Sequence, residues 1–345
     1  PPAGRRPARS LLSEKLMTRG MFLLAAVMLG MLAAPVAARE YPGTAMVEFA
    51  GYTRCIELRN ETTRVVLGPH CGGRVLSYSM EGREALYRDP NHDGWTYTPG
   101  KRTVDICGGR LDIGPEMTIP RHPILWLGAW KAEITGSRAA RMTSQPDPST
   151  GVQLVRDFRL AAKGSRLTVR QTIRNVSKET KHWCHWSRTL AAPGGIFVIP
   201  LNPQSRFPKG YLLYGPGPVM NYSPAEEPAI RRRDGFLEVR AVPSQPKFGI
   251  DSMAGWMAYA MPNDLLFVKR FPVYPNRVYS EMAAFTVSLY YVPQFTELEP
   301  IGPRETIRPG KSASYTEEWE LIPFSFPSEG EEIGLKRVEA LAKAK

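Results

Sequence analysis

Helical periodicity and cysteine are both scarce in this sequence of 345 residues. Only the last segment, EEIGLKRVEALAKAK over residues 331–345, spaces its apolar side chains at helical intervals among charged ones. The four cysteines show no C-x-x-C spacing, so a zinc site is poorly supported. One disulfide could form in an exported chain, but the spacing does not define its partners. The cysteines are Cys55, Cys71, Cys107 and Cys184.

A concentrated patch of positive charge is also missing. The chain has 45 Lys and Arg against 33 Asp and Glu, a net charge of +12. Its densest basic run, Arg231 to Arg233, leads directly into Asp234-Gly235, which is typical of a solvated turn. Nucleic acid is therefore not an expected partner. The sequence shows no motif for a cofactor or a metal ion, and none is predicted.

The one long apolar run lies near the amino terminus. Arg19 precedes an apolar segment from Met21 to Ala34, and the small residues Val36-Ala37-Ala38 follow it. This order predicts an export signal within residues 1–38 that is cleaved after Ala38. The predicted location is periplasmic or secreted, with membrane contact only through this segment during export. The alternative is that the segment stays in place as a membrane anchor.

Short alternating segments make up most of the remaining chain. In RLTVRQTIRNV, Leu167, Val169 and Ile173 point to one side and polar residues to the other, as in a half-buried antiparallel strand. The chain is 43% hydrophobic and contains 30 Gly and 32 Pro, which fits a large core with many turns. We therefore predict one large all-β domain, an antiparallel β-sandwich over residues 39–327, followed by a helical tail over residues 328–345.

The segment FTELEPIGPRETIRPGKSASYTEEWEL, residues 295–321, has the pattern of a strand, a loop and a strand. Pro300 disfavours helical backbone at Glu299, which places this carboxylate at a strand end, where side chains often face a cleft. Glu297 falls on the same strand face, one step further into the ladder. The alternative is that Glu299 is a solvated loop charge.

Two segments resemble a known family. The LEP step at residues 298–300, followed by RPGKSAS and a final strand, resembles the carboxy-terminal end of galactose mutarotase (aldose 1-epimerase) domains. VVLGPHCGGRVLSYSMEGREALY, residues 65–87, is similar to the opening of these domains, with a Gly-rich kink between two strands. The resemblance brackets residues 45–321. It implies a mutarotase-like sandwich that binds a saccharide, with Glu299 in the position of the catalytic base.

Residues 105–130, DICGGRLDIGPEMTIPRHPILWLGAW, are rich in Gly, Pro, charge and tryptophan. Arg110 and Asp112, two residues apart, share a face if the segment is extended. Together with Glu116 and Trp126 they suit a sugar, whose hydroxyls need donors and acceptors and whose C–H faces pack on aromatic rings. The alternative is an internal salt bridge with Trp126 and Trp130 in the core. The mutarotase resemblance gives Arg110 the role of holding the sugar.

The stretch KHWCHWSRTLAAPGG, residues 181–195, is a third segment that is predicted to line the sugar-binding cleft. On a strand, Trp186 and Arg188 share one face with His182, whereas His185 points to the other, so an H-x-x-H metal pair is disfavoured. Mutarotases place their general acid, a His in an Asn-His-x-x-Phe context, near this point, but here no Asn precedes either His. Arg188 stands where the acid belongs, and it could bind an oxygen without donating a proton. The alternative for either His is a hydrogen-bonded core residue.

Two functions remain open from the sequence. As an aldose 1-epimerase-like isomerase, Glu299 would take the proton of the anomeric hydroxyl while His185 or His182 protonates the ring oxygen. As a non-catalytic saccharide-binding domain, or an accessory domain of polysaccharide degradation, the same cleft would hold the sugar unchanged. Because the His context departs from the family pattern, carbohydrate binding is favoured and catalysis is left open. In both cases the predicted partner is a saccharide.

Overall fold

The structure, a computed structural model, describes residues 41–104, 107–215 and 219–344. These residues form two large antiparallel sheets that pack face to face, which confirms the predicted β-sandwich. The predicted export signal lies outside the described residues. Within the described ranges no helix is long and apolar enough to cross a membrane.

The first sheet has twelve strands, numbered here in chain order through the whole fold. They lie in the order β1-β2-β3-β4-β6-β11-β21-β20-β17-β13-β14, and β5 pairs with β4. The strands are β1 Thr44–Phe49, β2 Tyr52–Arg59, β3 Thr63–Gly68, β4 Arg74–Met80, β5 Arg83–Glu84, β6 Gly109–Gly114, β11 Cys184–Ala191, β13 Tyr211–Tyr214, β14 Met220–Asn221, β17 Lys247–Ile250, β20 Val287–Tyr291 and β21 Thr296–Pro300.

The second sheet has ten strands in the order β15-β16-β12-β18-β19-β22-β10-β9-β8-β7. They are β7 Lys131–Gly136, β8 Ala139–Thr143, β9 Val152–Leu160, β10 Leu167–Asn175, β12 Ile196–Pro200, β15 Ile230–Arg233, β16 Phe236–Val239, β18 Trp256–Met261, β19 Leu265–Arg270 and β22 Ser312–Pro323. The helical segments are a 3-10 turn Pro90–His92, α1 Pro123–Trp126 and α2 Leu335–Lys343.

Strand β10 shows how the sequence pattern builds the sandwich. Leu167, Val169 and Ile173 are fully buried and join the core between the sheets, whereas Arg170 and Arg174 are exposed. This is the alternation that the sequence predicts for a half-buried strand. Each buried apolar side chain of this size stabilises the fold by about 1.5–3 kcal/mol relative to exposure.

The core between the sheets also contains a buried ion pair. Lys269 on β19 places its Nζ 3.1 Å from Oε2 of Glu317 on β22, and both side chains are inaccessible to solvent. The ammonium also donates to the hydroxyls of Ser187 and Thr189 on β11, at 3.2 and 2.9 Å. These contacts bring the second sheet against the side of β11 that faces the core.

The carboxyl-terminal helix α2 packs on the outer face of the second sheet. Leu335, Val338 and Ala342 are buried against a cluster that includes Trp256 and Phe324. Arg270 donates to the carbonyl oxygens of residues 341 and 342, at 3.0 and 2.6 Å, and so satisfies the last turn of the helix. A helix in the predicted tail is thereby confirmed.

The outer face of the first sheet carries charge at its centre. Side chains directly opposite each other in an antiparallel pair share a face, and here Arg110 on β6 lies opposite Arg188 on β11. Glu299 on β21 lies opposite Ser288 on β20. The intervening residues, such as Leu298, point into the core. The side chains of these strands therefore alternate between this charged row on the outer face of the first sheet and the core between the two sheets.

The four cysteines are all buried, and none is in a disulfide. Three of them belong to one apolar cluster with Tyr52 and Leu76, while Cys184 packs beside Trp186 in another.

Candidate functional site

A cavity of about 420 Å³ opens on the outer face of the first sheet. Strands β6 and β11 form its floor, and the segment between β6 and the end of α1 forms its wall. A volume of this size lies in the range of small-ligand pockets. All six residues that the sequence suggests as substrate-binding line this one cavity: Arg110, Asp112, Glu116, Trp126, Trp186 and Arg188.

Arg188 is the centre of the site. Its Nε donates to Glu299 Oε1 at 2.8 Å and to Glu297 Oε1 at 3.0 Å, because both carboxylates project from the neighbouring strand β21 on the same face. Its Nη1 lies 3.9 Å from Asp112 Oδ2 and 3.8 Å from Glu116 Oε1. Burial alone would lower the pKa of Arg188, but the surrounding carboxylates outweigh it and hold this pKa well above its ordinary value. Arg188 is therefore a permanent cation shared by four carboxylates.

His122, which sequence reasoning missed, lies in the cavity wall. Its Nε2 is 2.7 Å from Asp112 Oδ1, and its Nδ1 is 2.7 Å from the carbonyl oxygen of Pro120. A carbonyl and an ionised carboxylate both only accept, so each ring nitrogen carries a proton and His122 is an imidazolium. Burial opposes this charge, but the bond to Asp112 raises the pKa of His122 above its ordinary value. Despite burial, His122, Arg110 and Arg188 lower the pKa of Asp112.

Arg110 and Trp126 form the aromatic side of the cavity. The guanidinium carbon of Arg110 lies 4.6 Å from the centre of the Trp126 ring. The close approach of the Trp126 backbone depends on Gly72, whose φ is +78° and where a Cβ would collide with the Trp126 carbonyl oxygen. Arg74 donates to that same oxygen at 3.2 Å. The Gly pair in the sequence thus allows the close backbone approach that it suggests.

Lys247 on β17 was also missed, and it closes the other side of the site. Its ammonium pairs with Glu116 Oε2 and lies 5.3 Å from the centre of the Trp186 ring and 4.8 Å from that of Tyr214. Lys247 and Tyr214 come from β17 and β13, strands that are distant in sequence from β6. A possible signal for His122 is its place ten residues after Asp112 in the same charged segment, but Lys247 has no comparable local pattern.

Glu299, the predicted base, is fully buried behind Arg188. Its Oε1 accepts the Arg188 hydrogen bond, and its Oε2 has no hydrogen-bond partner among the described residues. Glu297, on the same strand face, meets the same guanidinium. The catalytic role of Glu299 stays a prediction.

The structure corrects the placement of the two predicted acids, since neither lines the cavity. His185 is fully buried on the opposite side of β11 from Arg188, with its ring stacked on Tyr315 at 5.6 Å. Burial lowers the pKa of His185 to about 4, so its ring is neutral at physiological pH. His182 is exposed, and its Nδ1 lies 3.2 Å from the Thr306 hydroxyl. The sequence indicates that the two rings point apart, but not which face of β11 lines the cavity.

The remaining predicted aromatic residue, Trp130, belongs to the core. It is buried, and its Nε1 donates to the carbonyl oxygen of Leu125 at 2.9 Å. Its ring packs against Gly73, where a Cβ would collide with it. For Trp130 the core alternative is the one that the structure supports. Among the described residues no group of three or more His, Cys, Asp and Glu side chains is arranged to hold a metal ion.

Several solved structures share this fold. A galactose mutarotase-like protein from Lactobacillus casei aligns with 78% of this chain and 100% of its own length, at 12% identity and a TM-score of 0.55. One from Clostridium acetobutylicum aligns with 82% of this chain and 99% of its own length, at 11% identity and a TM-score of 0.54. The Slr1438 protein from Synechocystis aligns with 81% of this chain and 99% of its own length, at 14% identity and a TM-score of 0.55.

These similarities show the fold, which is that of a divergent galactose mutarotase-like β-sandwich. No curated protein sequence matches the chain. The family described as "Domain of unknown function (DUF4380)" matches residues 116–322, which includes β11, β17 and β21 of the site. Because this match covers more than half of the sequence, the chain belongs to the DUF4380 family.

Proposed function

We propose that this protein binds a saccharide in the cavity on the outer face of its first sheet. The observation that carries the proposal is the joint lining of one cavity by Arg110, Asp112, Glu116 and Arg188 with the rings of Trp126 and Trp186. Sugar hydroxyls both donate and accept, so they suit a wall of alternating cations and carboxylates. The C–H face of a pyranose suits an indole ring.

The site is suited to binding because its polar groups are already fixed. Arg188 is held by Glu297 and Glu299 from below, and Asp112 is held by His122 from the side. A ligand therefore meets donors and acceptors that need little reordering, which lowers the entropic cost of binding. The mutarotase-like fold of the L. casei and C. acetobutylicum proteins agrees with a carbohydrate ligand.

We expect mono- or oligosaccharides to change the tryptophan fluorescence of the protein and to release or take up heat on titration. Trp126→Ala should weaken binding by at least about fivefold, because a stacked aromatic face is worth on the order of 1 kcal/mol or more. Trp183→Ala is the matched control: Trp183 is also half-buried, but it does not line the cavity. Absence of any response across a broad glycan panel would refute the proposed function.

Interconversion of sugar anomers is a second candidate, and one observation favours it. The protonated His122 lies in the cavity wall and connects through Asp112 and Arg188 to Glu299. Anomer interconversion requires an acid and a base at the sugar ring; His122 lines the cavity, whereas Glu299 lies behind Arg188 and would act as the base only after that side chain moves aside. In this proposal His122 takes the position that the sequence assigned to His185 or His182.

If the protein interconverts anomers, Glu299→Gln should lower the rate by about 10²-fold or more, as loss of a general base does. Glu297→Gln is the matched control, since it removes a charge from the same strand face and the same Arg188 contact. Polarimetry on freshly dissolved α-anomers measures the rate, and thermal melting verifies folding. A wild-type protein that leaves every aldose at its spontaneous rate would exclude the enzyme and leave the binding function.

A further inference from the structure

Glu281 is a buried carboxyl group that does not itself line the proposed saccharide cavity. It precedes β20, and its side chain is fully buried. Its Oε2 accepts a hydrogen bond from the backbone N–H of Glu116 at 2.8 Å, while its Oε1 has no partner among the described residues. The four other acidic side chains at the site all have a cationic partner within 4 Å, but no ion pair of this kind involves Glu281 in the described chain. Those four are Asp112, Glu116, Glu297 and Glu299.

The surroundings of Gly114 show that Glu281 lies close to the Trp186 ring. A Cβ at Gly114 would lie 2.9 Å from Glu281 Oε2 and 3.1 Å from the Trp186 ring. The carboxyl group and the indole therefore meet at one point beside the end of β6. Glu281 is thus next to the cavity wall and not in a separate region of the fold.

The ammonium group of Lys247 lies among Trp186, Tyr214 and Glu116, close to Glu281. Lys247 Nζ lies between the rings of Tyr214 and Trp186, at 4.8 and 5.3 Å from their centres, and pairs with Glu116. Two aromatic faces with a carboxylate are a favourable environment for a cationic amine. The hydroxyl of Tyr214 is buried and has no partner within the described ranges. Two unpartnered polar atoms, Glu281 Oε1 and the Tyr214 hydroxyl, therefore lie in the surroundings of the Lys247 ammonium, next to the cavity residues Glu116 and Trp186.

The segment that carries Glu281 is held in an uncommon conformation. Met282 and Ala284 have φ values of 31° and 59°, in the left-handed region that non-glycine residues rarely adopt. Such conformations persist where the surrounding structure enforces them, and they concentrate at functional sites. Phe285 anchors the segment by packing on the Tyr214 ring at 6.0 Å. The uncommon backbone conformation therefore falls on residues directly beside Glu281.

From this arrangement we infer that Glu281, Glu116, Tyr214 and Trp186 form a subsite for a cationic amino group, so that the saccharide bound by this protein is an amino sugar. The inference rests on the proposed saccharide-binding function and names its ligand class. The ligand ammonium takes the place of the Lys247 ammonium between the two rings. Glu116 and Glu281 are then its anionic partners, and Lys247 moves its terminal amine toward solvent.

The charge of Glu281 changes in this step. Burial raises the pKa of Glu281 to about 7; the hydrogen bond from the Glu116 backbone and the charge of Lys247 oppose this shift, and the carboxylates of Glu116 and Glu299 add to it. Below that pH the free protein carries Glu281 as a neutral acid. When the ligand ammonium arrives, the carboxyl group loses its proton to solvent, and a salt bridge replaces a neutral group. The titratable groups that face Glu281 from the neighbouring elements are Glu116, Cys184, Tyr214, Lys247 and Glu299.

The test is calorimetric titration with glucosamine and galactosamine, their neutral parents glucose and galactose, and the N-acetylated forms. We expect at least about tenfold tighter binding of the amino sugars, because only they carry an ammonium that can pair with both Glu116 and Glu281. At about pH 6, titrations in two buffers of different ionisation enthalpy should show release of about one proton per bound amino sugar. The release should decline as the pH rises above about 7, because Glu281 is then already ionised.

Two variants separate this inference from a purely structural role. Glu281→Gln should abolish both the proton release and the preference for the amino sugar, whereas Glu305→Gln, which lies outside the cavity, should change neither. Lys247→Met removes the competing ammonium and should tighten amino-sugar binding. Equal affinity for amino and neutral sugars, absence of proton release from the wild-type protein, or weaker binding by Lys247→Met would each overturn the inference. If neutral sugars still bind, the saccharide-binding function stands; if no sugar binds, both fail.

Discussion

Replacing Arg188 by methionine is expected to reduce the free energy of unfolding by about 3–5 kcal/mol, the cost of removing one partner of a buried ion pair. Glu297 and Glu299 have side-chain exposures of 3% and 0%, so neither carboxylate can recover hydration when the guanidinium is lost. Urea unfolding followed by circular dichroism gives the difference directly. The size of this effect makes Arg188 a structural residue of the site as well as a contact for ligand.

A matched variant distinguishes lost charge pairing from lost packing. Combining Arg188→Met with Glu297→Gln and Glu299→Gln removes the uncompensated charges, and it should recover at least about half of the lost stability. If the triple variant is as unstable as the single one, the stabilisation comes from the packing of the Arg188 side chain on the Trp186 ring, 5.2 Å away.

Replacing Lys269 by methionine should have a loss of similar size, about 3–5 kcal/mol, because it leaves the fully buried Glu317 without its cation. Gln171, the Trp319 indole and the Ser187 hydroxyl still donate to Glu317, but three neutral donors do not replace a positive charge. Chemical unfolding of Lys269→Met against the wild type measures the loss. Lys343→Met, which breaks an exposed pair with Glu339, is the control and should show little change.

The double variant Lys269→Met with Glu317→Gln should again be more stable than Lys269→Met alone, since the glutamine keeps an acceptor and carries no charge. A double variant that is less stable than either single one would contradict this view. It would show that the pair contributes more than its desolvation cost.

Much of the fold could be predicted from the sequence because the signals are local. The alternation in β10 and the Pro after Glu299 favour extended backbone, and the Gly pair at residues 72–73 permits the positive φ values of the kink, each within a few residues. The six cavity residues were recognisable for the same reason. Arg110 and Asp112, like Trp186 and Arg188, are two apart on a strand, and β6 and β11 turn out to be neighbours.

The remaining part of the site could not be predicted because it depends on contacts between distant segments. Glu281 and Lys247 look like ordinary surface charges in the sequence, and only the pairing of β17 with β20 brings them to the site. The sequence could not place the two histidines for a different reason. Both faces of β11 are buried, so its alternation has no polar side that could show whether His185 or Arg188 faces the cavity.

Helix α2 and the cavity lie on opposite outer faces of the sandwich, which affects how the protein can be immobilised or fused without covering the cavity. The helix covers the second sheet and is fastened by Arg270 to its last carbonyl groups. A carboxyl-terminal tag, biosensor anchor or fused partner therefore emerges on the side away from the cavity. Surface-immobilised protein should keep its full ligand capacity when it is held by this end.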